Sequence, residues 1–162
     1  MKVTVHLDID AKSLFKVLKE MLLADISEAR GKKAKPSNVH EGYSYKKYLR
    51  GKGDPQHAAT VRIEAFDVPR TYRSTVTTAQ GVNTLCYEVV PAEGGGIDVT
   101  YEETFEGASA SASFMQKTIG ALRSGSSKSR IKSQLHAIEA QVRADRFVEE
   151  AEEEIGREKK TK

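Results

Sequence analysis

At 162 residues, 38% apolar and 30% charged, the chain is long enough to bury a core of its own as one domain. Its mean hydropathy of −0.52 and its longest aliphatic run, MLLA at 21–24, exclude a bilayer-spanning helix, which needs ~18 apolar residues. The net charge of +3 is too small to dictate a polyanionic partner.

The charge is unevenly placed: GKKAK (31–35), KKYLRGK (46–52) and KSRIK (128–132) are basic, and VEEAEEE (148–154) is acidic. No nucleic-acid motif accompanies the basic clusters, so they read as solvated surface, and neither nucleic acid nor membrane is an expected partner. The N-terminal MKVTVHLDID alternates and holds two aspartates, unlike a secretory leader. The single cysteine, Cys86, can form no internal disulfide and reads as a small core residue in a cytoplasmic protein.

Val3, Val5, Leu7 and Ile9 alternate, which predicts a first strand with one buried face. Asp8 or Asp10 can then cap a helix, since a short carboxylate accepts from the free N–H groups of a first turn. That helix carries Leu14, Phe15, Leu18, Leu22 and Ile26 in one stripe, and Gly31 suits a left-handed C-cap. KKAKPSNVHEG is polar, and Pro36 stops any continuation, so a loop with at most a short helical turn is expected.

From Tyr43 the period changes to two. Strands are predicted over 43–50, 57–67, 70–78, 82–90 and 97–106, broken by GKGDP, VPR, AQG and PAEGGG. Connections this short join antiparallel neighbours, so the strands form a meander and the sheet holds about six or seven of them. GGG at 94–96 lacks a lysine and a following helix, so it reads as a hairpin turn needing positive φ and not as a phosphate loop.

After Gly107 two helical stripes follow: Met115, Ile119 and Leu122, then Ile131, Leu135, Ile138 and Val142. Nine residues separate Leu122 from Ile131, a rotation of about 900°, so the second stripe faces half a turn away from the first. One straight helix cannot lay both on one sheet. A kink or break is expected in RSGSSKS (123–129), with the second stripe turned to the first helix or to a second subunit.

The VTV start running into LFKVLKEMLLADI, then GYSYKK, then GVNTLCYEV to VTYEETFEGAS resembles the START-like, or SRPBCC, helix-grip superfamily. Within it the chain resembles a bacterial family carried as a domain of unknown function. The resemblance covers residues 1–142 and implies an α+β fold: a curved antiparallel sheet wrapped around a long C-terminal helix, often with a cavity between. The charged end, 143–162, is not needed by that fold. The family carries no catalytic motif to transfer.

Chemistry is sparse. His6, His40, His57 and His136 lie far apart, with no carboxylate or cysteine at ligand spacing, so neither a metal nor another cofactor is expected. GYSYKKY (42–48) interleaves aromatics with lysines, but Tyr43 and Tyr45 share one strand face while Lys46 and Tyr48 share the other, as in any half-buried strand.

Alternation points Tyr45, Val61, Ile63, Tyr72, Val76, Leu85, Tyr87, Tyr101, Glu103 and Phe105 inward, with Met115, Ile119 and Leu122 facing them from the helix. This set suits a small hydrophobic or amphipathic ligand, being apolar with a few orienting polar groups, although a filled core has the same signature. Glu103 is the exception in an apolar row. It reads either as a carboxylate orienting a ligand or as a strand-end glutamate that reaches water or a nearby Lys or Arg.

Binding of a small ligand is therefore the expected function. The alternatives are a non-enzymatic interaction or regulatory protein acting through a homodimer or a partner helix contact at Ile131, Leu135, Ile138 and Val142, and a cyclase- or hydrolase-like enzyme using Glu103 with Tyr87 or Tyr101.

Overall fold

The computed structural model describes residues 1–49, 58–107 and 127–161. The elements run β1 (Lys2–Leu7), α1 (Ala11–Arg30), a 3-10 turn (Pro36–Asn38), β2 (Ser44–Tyr48), β3 (Ala58–Asp67), β4 (Thr71–Thr78), β5 (Gly81–Pro91), β6 (Ile97–Gly107) and α2 (Ser127–Lys160). Among the described residues six strands form one curved antiparallel sheet, ordered β1-β6-β5-β4-β3-β2. Strands β2 to β6 are a simple meander, and β1 closes it by pairing with β6 from Lys2↔Glu102 to Leu7↔Ile97. The α+β class and the strand count agree with the sequence reading.

Local signals act as expected. Asp10 caps α1 by accepting from the Ser13 N–H at 3.0 Å, and Gly31 closes the helix in the left-handed region at φ 65°. Leu14, Phe15, Leu18, Leu22 and Ile26 are buried against the sheet. The β5–β6 turn runs through Gly94, Gly95 and Gly96 at φ 83°, 112° and 73°, a path that L side chains resist.

One irregularity matters inside the sheet. Between Ile63 and Ala65 the β3–β4 register shifts, so two residues of β3 oppose one of β4. Phe66 then pairs with Tyr72 and turns inward, where strict alternation from Val61 places Ala65.

Residues 123–126, where a break was expected, lie outside the described residues; from Ser127 the helix is continuous to Lys160. The off-phase stripe faces its own chain. Ile131, Leu135, Ile138 and Val142 are all buried in the one hydrophobic core, with α2 packed on β1 and α1. The proposed dimer contact is corrected by this packing: its four residues are covered within the fold and offer no surface to a second subunit. Polar contacts flank Val142 on both sides. Arg146 meets the Asp10 cap at 2.8 Å, Arg143 approaches Asp8 at 3.9 Å, and Glu139 accepts from the Asp8 N–H. The next turn of α2 beyond 142 is thereby tied to the β1–α1 corner.

Candidate functional site

The concave face near the β5–β6 pair holds a polar cluster in apolar surroundings. Glu103 of β6 is only 1% exposed. Its Oε1 accepts from Asn83 Nδ2 at 2.7 Å, and its Oε2 accepts from the Tyr101 hydroxyl at 3.1 Å. Asn83, on β5, is itself 2% exposed. Both donors are neutral. Glu103 therefore neither reaches water nor sits in a Lys or Arg pair through these contacts, which removes the strand-end reading. Burial of a carboxylate is costly, and two directed hydrogen bonds are what the sheet supplies against that cost.

An aromatic row adjoins the cluster. Tyr101 meets Tyr87 edge-on at 5.0 Å, Tyr87 stacks on Tyr72 at 5.9 Å, Tyr72 meets Phe66 at 5.8 Å, and Phe66 meets Phe15 of α1 at 5.7 Å. Cross-strand pairing places Tyr87 opposite both Tyr72 and Tyr101, so one row of rings crosses three strands.

These phenols stay protonated. Burial pushes the Tyr72 hydroxyl up to about 12. Burial also raises Tyr87 and Tyr101, and the charge of Glu103 adds to both shifts, while Arg130 on α2 acts in the opposite direction. At neutral pH the row offers hydrogen-bond donors and ring faces and no phenolate base. Among the described residues, Arg130 Nη1 is buried without a hydrogen-bond partner, as is Asn83 Oδ1.

The sequence model of the family described as Domain of unknown function (DUF3284) matches residues 1–123. The chain belongs to the DUF3284 family. Among solved structures, this DUF3284 chain is similar to Ara h 8.0201, at 16% identity and a TM-score of 0.55 over 89% of this chain and 97% of that one. It is also similar to protein MLL2253 from Mesorhizobium loti, at 14% identity and a TM-score of 0.54 over 90% and 96% of the two chains. None of the curated proteins matches it. At such identities the likeness is one of fold, and the fold is the START-like helix grip that the sequence resembled.

Of the thirteen predicted site residues, the DUF3284 fold brings Tyr72, Tyr87, Tyr101 and Glu103 together. Val76, Leu85 and Phe105 are half-buried on the same face, with Phe105 opposite Asn83. Val61 and Ile63 are buried farther along the sheet on β3. Tyr45 lies beyond them on the β2 edge, where its hydroxyl donates to Asp25 of α1. Lys47 holds the same carboxylate at 2.9 Å, so Tyr45 pins the helix to the sheet edge. Burial, followed by the Asp25 contact, raises its hydroxyl well above the usual range. Met115, Ile119 and Leu122 lie outside the described residues, as does His57.

Asn83, Ser74 and Arg130 belong to the inward face or its cover and were not among the predicted residues. Strand parity was the available signal, because Asn83 precedes Leu85 and Tyr87 by even steps, and Ser74 lies between Tyr72 and Val76. Cys86 is buried, but it lies one step out of phase with Leu85 and Tyr87, which turns it to the outer face opposite Arg73. The other histidines sit apart from the cluster: His6 pairs with Asp98 at 2.9 Å and His136 with Glu139 at 3.4 Å, both at exposed positions.

Proposed function

We propose that the protein binds a small hydrophobic or amphipathic molecule against the concave face of its sheet, between the sheet and the C-terminal helix. The observation that carries this reading is the buried Glu103–Asn83–Tyr101 cluster at the end of an aromatic row. An apolar recess with a few convergent polar groups is the usual composition of a ligand site. A core without a binding role has little reason to bury a carboxylate with neutral partners, given the desolvation cost.

Two measurements test the proposal. Native mass spectrometry of freshly purified protein is expected to show a retained small molecule that dissociates on activation. The neutral fluorophore N-phenyl-1-naphthylamine is expected to bind the delipidated protein with a one-to-one stoichiometry. A bare apo mass together with no saturable fluorescence would sink the reading.

A further inference from the structure

Glu103 decides the orientation of Asn83. An ionised carboxylate only accepts hydrogen bonds, so the Asn83 amide nitrogen must face it, and the carbonyl Oδ1 must point the other way. That oxygen is buried and has no partner among the described residues, in a side chain that is 2% exposed. Arg130 presents the opposite case, a buried guanidinium nitrogen that has no acceptor among the described residues. Buried polar atoms are normally satisfied, and leaving one without a partner costs a large part of its solvation. The described residues thus leave one orphan acceptor and one orphan donor. Glu103 raises the Tyr87 and Tyr101 hydroxyls and Arg130 lowers them, so both charges act on these two phenols.

We infer that the ligand is an uncharged molecule with a flat apolar body whose polar end both donates and accepts, giving a hydrogen bond to Asn83 Oδ1 and taking one from Arg130 Nη1. This rests on the binding reading above and narrows its ligand class. The charge pattern argues for neutrality. An anionic ligand meets the buried carboxylate of Glu103, and a cationic one meets the Arg130 guanidinium. A flat body matches the Tyr72 and Tyr87 rings, which lie within 16° of parallel.

The test is competition against bound N-phenyl-1-naphthylamine by three molecules of one shape: 2-naphthamide, 2-ethylnaphthalene and 2-naphthoate. The amide both donates and accepts, the hydrocarbon does neither, and the carboxylate is anionic. The expected result is displacement by 2-naphthamide at roughly tenfold or more lower concentration than by either of the others. Asn83→Leu and Arg130→Met are each expected to shrink that preference to about threefold or less, read as the ratio of competitor concentrations within each variant. Arg130 lies on α2 and makes no contact within the Glu103 hydrogen bonds, so its variant keeps the test open if Asn83→Leu fails to fold.

Glu103→Gln adds a sharper check. Its amide can donate, which allows Asn83 to turn its Nδ2 towards the ligand, and selectivity should move to a pure acceptor such as 2-acetylnaphthalene. Equal displacement by all three competitors in the wild type, or a preference that survives both substitutions, overturns the inference while leaving the binding reading standing. No saturable fluorophore binding removes both.

Discussion

Replacing Glu103 by leucine removes the acceptor of each of two buried donors, Asn83 Nδ2 and the Tyr101 hydroxyl. A buried donor left unsatisfied costs about 1–3 kcal/mol, so the pair costs about 2–6 kcal/mol. Part of this returns, because the wild type carries the desolvation of a buried carboxylate and leucine does not. A net loss of about 2–4 kcal/mol is expected. With a urea dependence of about 2 kcal/mol per molar, the unfolding midpoint should fall by about 1–2 M. The triple variant Asn83→Leu/Tyr101→Phe/Glu103→Leu removes the donors as well and is expected to recover at least half of the loss, since a network replaced whole leaves nothing orphaned. Equilibrium urea unfolding at pH 7, followed by far-ultraviolet circular dichroism, reads all of these midpoints. A Glu103→Leu midpoint within about 0.3 M of wild type would refute the account of a directed cluster, as would triple-variant losses that simply add.

Asp10→Ala should cost about 1 kcal/mol at pH 7 through loss of the N-cap. The Asp10 carboxyl lies below its ordinary value of 3.8, chiefly through the Ser13 hydroxyl, with the Ser13 amide and Arg146 adding to it. Its ionic contribution is therefore complete above about pH 4 and fades as the pH falls through the folded value, so the difference between variant and wild type should narrow in acid. Leu135→Ala, at a side chain 1% exposed, should cost about 2–5 kcal/mol in thermal or urea unfolding, whereas Phe147→Ser, at 73% exposure on the same helix, should stay within about 0.5 kcal/mol. Gly96→Ala should cost about 2 kcal/mol or more, because φ is 73° and a Cβ would lie 2.4 Å from the Leu7 carbonyl oxygen. Gly94→Ala, at φ 83° in open space, should cost only about half as much in the same assay, and equal losses would show that the Leu7 contact is unimportant.

Most of the fold was legible because each element carries its own punctuation. Asp10, Gly31 and the Gly94–Gly96 turn specify local geometry whatever the surroundings, and the elements they bound fall where period and breakers place them. Two things were not legible, for different reasons. A hydrophobic stripe defines the face of a helix but not its target, so the phase of Ile131, Leu135, Ile138 and Val142 was compatible with a second subunit, while α1 and β1 are what cover it. At the site, parity marks which residues point inward, but a search for apolar ones passes over Asn83 and Ser74. Arg130 comes from an element whose position depends on the whole fold. The bulge at Ile63/Ala65 defeats parity itself, since one inserted residue exchanges the faces of Ala65 and Phe66.

The pairing of β1 with β6 also dictates when the molecule can become itself. The strand synthesised first finds its partner in the last strand of the meander, and α2, made later still, is the helix that packs over β1. Hairpins β3–β4, β4–β5 and β5–β6 can zip up locally as they leave the ribosome, but Val3, Val5 and Leu7 have no sheet to join until Ile97 to Tyr101 have emerged. During that interval α1 carries an apolar stripe with an incomplete sheet to cover it. A nascent chain halted before β6 is thus the species most in need of a chaperone, and circularising the order of synthesis, with β1 moved to follow β6, should hasten folding without altering a single contact of the sheet.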